Sequence, residues 1–237
     1  MGERPTYSII LPAYNEAANI ERAIRETVAV FSVLGKPYEI VVVDDGSVDG
    51  TPEIAVTLSK NIPELKLFRH QGNCGKGTAV RTGVLNSSGE LLLFLDCDLA
   101  THPSEAPAFI AQMGEYDIAI GSRRHSQSVI IKSQAWYRVV YGRLINFFVR
   151  LLTKLPQRDT QSGIKMFRAE VAKDIFQNIG PSRWTFDIEL LLRARANGCT
   201  VIELPVAWSN GALSRVKFNE VVMDLWNLSK LKNKLDR

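Results

Sequence analysis

Five short apolar runs, each closing on turn or polar residues and leading into a helix-like stretch, constrain this chain more than any other feature. They are Tyr7–Leu11, Tyr38–Val43, Leu65–Phe68, Leu91–Leu95 and Asp117–Ile120. Helical patterns follow at about Asn19–Phe31, Thr51–Asn61, Lys76–Leu85 and Ser104–Gln112. Asn19 can cap the first helix, and Pro52 suits the first turn of the second. Runs such as EIVVVD and LLLFLD are apolar at successive positions, whereas a strand with one wet face alternates. Such strands belong in a sheet covered on both faces, and strands joined through helices run parallel. The fold class is therefore α/β, a mostly parallel central sheet with helices on both faces.

Beyond residue 122 the pattern loosens. It predicts a long helical segment from about Lys132 to Leu155, a strand near Ile164–Phe167 and helices near Ala169–Asn178 and Phe186–Ala196. A strand at Thr200–Val206 and a last helix from about Glu220 complete it. With no linker, repeat or low-complexity tract, 1–237 is expected to be a single domain of two unlike parts, 1–122 and 123–237. At 46% hydrophobic residues the chain can bury a core, which excludes disorder as a whole-chain reading.

Several function classes drop out. The N-terminus lacks the apolar core and cleavage site of an export signal, and the stretch around Leu144–Leu152 is too short and interrupted to span a membrane. Cys74, Cys97 and Cys199 are odd in number and widely spaced, with no CxxC pair, so neither a disulfide framework nor a zinc site is signalled. A cytoplasmic protein is expected, with Cys97 a small buried residue. The pI near 9.0 alone would suit nucleic acid, but no aromatic-basic module accompanies it, and no nucleic-acid partner is expected.

In open α/β sheets ligands bind beyond the carboxyl ends of the strands. There the chain carries Pro12-Ala13-Tyr14-Asn15-Glu16, Asp44-Asp45-Gly46-Ser47 and Asp96-Cys97-Asp98. The outer carboxylates of an extended Asp-x-Asp point to one side, where like charges need a cation or proton between them. Mg²⁺ or Mn²⁺ shared with phosphate oxygens suits that need. Gly72–Arg81 is a glycine-rich turn opening a helix, with backbone N–H groups and Lys76 to offer an anion. It is not a P-loop, since His70 stands where the first glycine belongs and Gly77 follows the lysine. No GxGxxG follows the first strand. The paired Asp44-Asp45 with a lysine also fits the acidic pocket of a phosphoacceptor receiver domain, but the length and the separate Asp96-Cys97-Asp98 argue against that.

These residues resemble the family 2 glycosyltransferases of GT-A fold, and within them the polyprenyl-phosphate sugar synthases of the dolichyl-phosphate β-glucosyltransferase type. The matching stretches are LPAYNEAANI (Leu11–Ile20), VVVDDGSVDGT (Val41–Thr51), GKGTAVRTG (Gly75–Gly83), DCDLAT (Asp96–Thr101), GSR (Gly121–Arg123), RDTQSGIKMF (Arg158–Phe167) and RWTFDIELL (Arg183–Leu191). The third, sixth and seventh point to the glucosyl rather than the mannosyl type. The resemblance implies a metal-dependent, inverting hexosyl transfer from a nucleoside diphosphate sugar, UDP-glucose foremost, to a polyprenyl phosphate. A GDP-mannose-dependent synthase and another acceptor are the alternatives within the family.

It further implies that Pro12, Tyr14, Glu16, Asp44, Asp45, Lys76 and Asp96 line the nucleotide pocket, and that Asp96 and Asp98 hold the metal. Arg123 would lie near the phosphates, and Asp159 would position sugar or acceptor, with general base its lesser role. Gln161, Trp184 and Asp187 would touch or shape the sugar pocket, though Trp184 and Phe186 equally suit a core. The family's cysteine in the sixth motif is Ser162 here. Its Gly-Ser-Lys stretch near the end is matched only by Ala212–Lys217, where Arg215 and Lys217 are the candidate acceptor contacts.

Residues 123–168 hold ten lysines and arginines against the single acid Asp159, while the remainder is net acidic. At about 100° per residue, Trp136, Val140, Leu144, Phe147, Leu151 and Leu155 share an apolar face, with Lys132, Arg143, Arg150 and Lys154 along its margin. Lys230, Lys232, Lys234 and Arg237 form a second basic cluster. Basic margins on an apolar stripe describe a helix lying in a membrane interface, here on the cytoplasmic face. The same stripe would also suit packing on the sheet or on a second subunit of a homo-oligomer.

Overall fold

The computed structural model describes residues 5–132, 136–180, 185–209 and 232. Trp184, Arg215, Lys217 and the helix expected from about Glu220 lie outside them. The strands are β1 (Tyr7–Ala13), β2 (Tyr38–Asp44), β3 (Leu65–Arg69), β4 (Leu91–Leu95), β5 (Ile118–Ser122), β6 (Val129–Lys132), β7 (Ile164–Arg168), β8 (Val201–Pro205) and β9 (Ala207–Ser209). The helices are α1 (Ile20–Val33), α2 (Thr51–Ser59), α3 (Lys76–Leu85), α4 (Ala106–Gln112), α5 (Trp136–Thr153), α6 (Ala169–Asn178) and α7 (Phe186–Ala196).

Seven strands form one sheet in the order β3-β2-β1-β4-β7-β5-β8, drawing on both parts of the chain. All run parallel except β7, which is antiparallel to both β4 and β5. The carboxyl ends of β1, β2, β4 and β5 therefore share one edge, and β7 begins at that same edge. The strand order reverses between β1 and β4, which opens a crevice there.

Apolar residues at successive strand positions serve both faces. Ile9 and Leu11 of β1, Ile40 and Val42 of β2, and Leu93 and Leu95 of β4 pack with Ile24, Phe31, Ala55 and Phe109 of α1, α2 and α4. Their neighbours Ile10, Val41, Val43, Leu92 and Phe94 pack with Val80, Phe176, Ile188 and Leu191 of α3, α6 and α7. Each such fully buried side chain contributes about 1.5–3 kcal/mol, so a polar residue at any of them would be costly on either face.

The short strands β6 and β9, a parallel pair outside the main sheet, were not anticipated. Helix α5 also departs from expectation. Val140, Leu144, Phe147 and Leu151 are exposed and do not pack on the sheet, whereas Val149 and Asn146 are buried. Leu155 does not share their face: Lys154 at φ 55° breaks the helical phase, and Leu155 turns into the core.

Candidate active site

The first two loops of the sheet edge are laced to each other. Asn15, at φ 54°, donates its backbone N–H to Ser47 Oγ and accepts from Val48 N on Oδ1, both at 2.9 Å. Glu16 N donates to Thr51 Oγ1 at 2.8 Å, and the Glu16 carboxylate accepts from Asn19 Nδ2 at 2.7 Å. Pro12 and Tyr14 are half-buried beside them.

Asp44 and Asp45 are both buried and occupied. Asp44 accepts from Ser47 N and lies 3.0 Å from Arg69 Nε. Asp45 accepts from Cys74 N (2.9 Å), Gly75 N (2.8 Å) and, on the geometry, His70 Nδ1 (2.7 Å). These carboxylates shape the pocket wall from inside; direct pairing of either with a nucleotide base or ribose, as the resemblance implies, would have to compete with these bonds. Gly46 is required for this close packing: at φ 73°, a Cβ there would stand 2.4 Å from the Gly72 backbone. Asp45, His70 and Cys74 also bring three metal-ligating groups within 4.8 Å, a juxtaposition the widely spaced cysteines did not signal. With Cys74 N, Gly75 N and His70 Nδ1 on the Asp45 carboxylate, the cluster anchors the turn at Cys74 and Gly75.

Asp96 follows β4 directly and its backbone N–H donates to Gly163 O at 3.0 Å. Its carboxylate lies against the start of β7, where a Cβ on Gly163 would come within 2.6 Å of Oδ2. Lys76 Nζ reaches both oxygens, at 2.7 and 2.9 Å. Asp98 accepts from Ala100 N at 2.9 Å. Burial, and then the adjacent Asp96 carboxylate, push its carboxyl above the ordinary value. Two hard oxygen donors that repel one another fit a small divalent cation. Cys97 between them is buried, its thiol 3.2 Å from Pro12 O and pushed up by burial, which makes it an inert packing residue.

Across the edge, Arg123 at the end of β5 pairs bidentately with Asp159: Nε to Oδ2 and Nη2 to Oδ1, both 2.7 Å, with Arg123 N also donating to Oδ2. Arg123 lies 5.6 Å from the Trp208 ring centroid and donates to Gln161 O. Burial favours a neutral Asp159, but the Arg123 hydrogen bonds and charge outweigh it and hold the carboxyl below its ordinary value. A carboxylate so bound is a poor proton acceptor. Through these bonds Asp159 holds the Arg123 guanidinium in place.

Asp187, expected to touch or shape the sugar pocket, is buried in the first turn of α7, 2.6 Å from Lys165 Nζ. Lys165 is fully buried, donates also to Ser162 O, and shares the ring of Phe94 with Lys76, at 5.5 and 5.1 Å. Phe186 packs edge-on against Phe94, the core role weighed for it.

Sequence reasoning missed Trp208, Lys165 and Glu203, whose carboxylate accepts the N–H groups of Arg158 and Asp159. Trp208 bridges to Thr101, just past the acidic pair, and so links that loop to Arg123. Nothing local marks these residues; their partners lie far off in the chain.

The Glycosyl transferase family 2 model matches residues 8–176. The chain belongs to that family. This family 2 chain is 32% identical over 226 residues to a dolichyl-phosphate β-glucosyltransferase of Trichomonas vaginalis, covering 91% of this chain and 67% of that protein. It is 34% identical over 216 residues to a Drosophila melanogaster dolichyl-phosphate β-glucosyltransferase, covering 85% and 66%. It thus spans about two thirds of the length of these relatives. A glycosyltransferase of Haloferax volcanii, AglD, is 34% identical over 205 residues, covering 85% of this chain and 32% of that protein. Among solved structures, glucosyl-3-phosphoglycerate synthase from Mycobacterium tuberculosis with Mn²⁺, UDP and glucosyl-3-phosphoglycerate has a TM-score of 0.67 at 17% identity, covering 98% and 80%. That likeness establishes the GT-A fold.

Proposed function

We propose that this family 2 enzyme transfers glucose from UDP-glucose to a dolichyl-type polyprenyl phosphate with inversion. The observation that carries the reading is the pairing of two unlike grips on one sheet edge. Asp96, Asp98 and Lys76 stand at one side, and the Asp159-held guanidinium of Arg123 at the other. The relatives named as dolichyl-phosphate β-glucosyltransferases supply the sugar and the acceptor class.

Asp96 and Asp98 would hold Mg²⁺ or Mn²⁺, which when bound offsets charge on the leaving diphosphate. Lys76 and the N-terminus of α3 bind diphosphate oxygens. Arg123, fixed in plane by Asp159 and Trp208, orients the acceptor phosphate through its remaining N–H groups. That phosphate is ionised near neutral pH and attacks without a strong base, so alignment carries the catalysis.

No helix among the described residues is long and apolar enough to cross a membrane. Val140, Leu144, Phe147, Phe148, Leu151 and Leu152 nevertheless present a continuous exposed apolar surface on α5, with Arg150 and Lys154 also exposed. This supports peripheral binding to a membrane surface that carries the acceptor, which in this reading is the cytoplasmic face. The decisive experiment is transfer from radiolabelled UDP-glucose and from GDP-mannose to polyprenyl phosphate in detergent, with Mg²⁺ and with Mn²⁺. Glucosyl lipid is the expected product; mannosyl lipid alone would replace the donor reading.

A further inference from the structure

Lys76 occupies the first position of α3, directly after Gly75. A cation at a helix N-terminus opposes the partial positive charge there, which favours anions. The ammonium is instead carried away from the backbone, over the Phe94 ring and onto Asp96, where it takes both carboxylate oxygens.

A divalent ion that draws on Asp96 therefore competes with Lys76 for its oxygens and is repelled by the ammonium. Displacing the lysine leaves its half-exposed ammonium beside a divalent cation and without its carboxylate partner, unless another anion receives it. A diphosphate lying at the N-terminus of α3 is such an anion, and the lysine can reach it without leaving that end of the helix.

We propose that Lys76 makes metal binding contingent on the nucleotide: it is the counter-ion of Asp96, and it yields that carboxylate to the divalent ion when a diphosphate takes over its ammonium. Metal and nucleotide then tighten one another's binding reciprocally. Lys76 is a positioning residue in this scheme, acting on the metal through Asp96. The inference rests on the nucleotide-donor reading above.

The test is titration of Mn²⁺, followed by its paramagnetic resonance, into the whole protein alone and with saturating UDP, and of UDP with and without Mn²⁺. Wild-type protein should bind Mn²⁺ at least about tenfold more tightly with UDP present. Lys76→Gln and Lys76→Met should bind Mn²⁺ alone about tenfold more tightly than wild type and lose most of the enhancement by UDP, while Lys76→Arg keeps it. Independent binding of Mn²⁺ and UDP by wild type overturns the inference without recourse to any variant. So does Mn²⁺ affinity in folded Lys76→Gln that is unchanged or weaker without nucleotide. Failure of wild type to bind Mn²⁺ with either UDP or GDP defeats the donor reading itself, and the inference with it.

Discussion

Buried acids do different work on the two sides of the sheet edge. On the side built from residues 1–122, Asp44 and Asp45 mainly grip backbone, accepting N–H groups from Ser47, Cys74 and Gly75. On the other side, Asp159 and Asp187 grip cations, Arg123 and Lys165. A carboxylate that holds backbone fixes the shape of a loop, whereas one that holds a guanidinium or ammonium fixes where charge stands. The first side, proposed to take the donor, is thus a moulded wall, and the second, proposed to take the acceptor, an arrangement of placed charges.

The largest effect should fall where the two sides meet. Asp98→Asn is expected to lower transfer by at least about 10³-fold, the scale of losing a major electrostatic contribution, with Mn²⁺ binding lost and the thermal transition retained. Full activity of that variant in the presence of chelator would defeat the metal reading.

Asp159→Asn should unhook Arg123, lowering transfer by about 10²-fold and stability by about 3–5 kcal/mol, with UDP affinity unchanged. The pH dependence follows in sign. Because folding holds the Asp159 carboxyl below its ordinary 3.8, its stabilising contribution is complete above that value and is lost as pH falls through the lower folded value. Acid-unfolding curves of wild type should show this limb, and those of Asp159→Asn should lack it.

Lys165→Met strands Asp187 and should cost a similar 3–5 kcal/mol or so. The double variant Lys165→Met/Asp187→Leu should recover most of it in denaturant melts, because an apolar pair needs no counter-charge. If the double variant is as unstable as the single one, the pair is more than a buried charge match.

A smaller and differently directed loss is expected from Asp45→Asn, about 1–3 kcal/mol for an unsatisfied buried group. It should weaken UDP while leaving the acceptor KM alone; an effect confined to the acceptor would erase the contrast between the two sides. Smallest of all, replacing Leu144, Phe147 and Leu151 by Ser should change stability by no more than about 0.5 kcal/mol per site. Those side chains are exposed, so the same variant should lose flotation with anionic vesicles if α5 meets the membrane.

The side built from residues 1–122 is the more legible in sequence. Its strands announce themselves by apolar runs, and its acids sit within three residues of strand ends, so local pattern alone locates Asp44, Asp45, Asp96 and Asp98. The other side depends on partners distant in the chain: Arg123 with Asp159, Lys165 with Asp187, and Trp208 with Thr101. Periodicity located α5 but gave no means of deciding whether its apolar stripe faces core or solvent. The strands β6 and β9, four and three residues long, lack the buried alternation by which strands are recognised.

The reversed strand β7 has a geometric consequence of its own. Because it runs against its neighbours, its leading loop arrives at the working edge instead of departing from the far one. Asp159 in that loop holds the guanidinium on one flank, while Gly163 abuts the carboxylate of Asp96 on the other. One strand inserted between β4 and β5 separates the two grips by two interstrand spacings, roughly 10 Å. Under the proposed function, the width of a backbone ribbon would act as a gauge, keeping leaving group and attacking phosphate a sugar's breadth apart whatever sugar or lipid is brought to them.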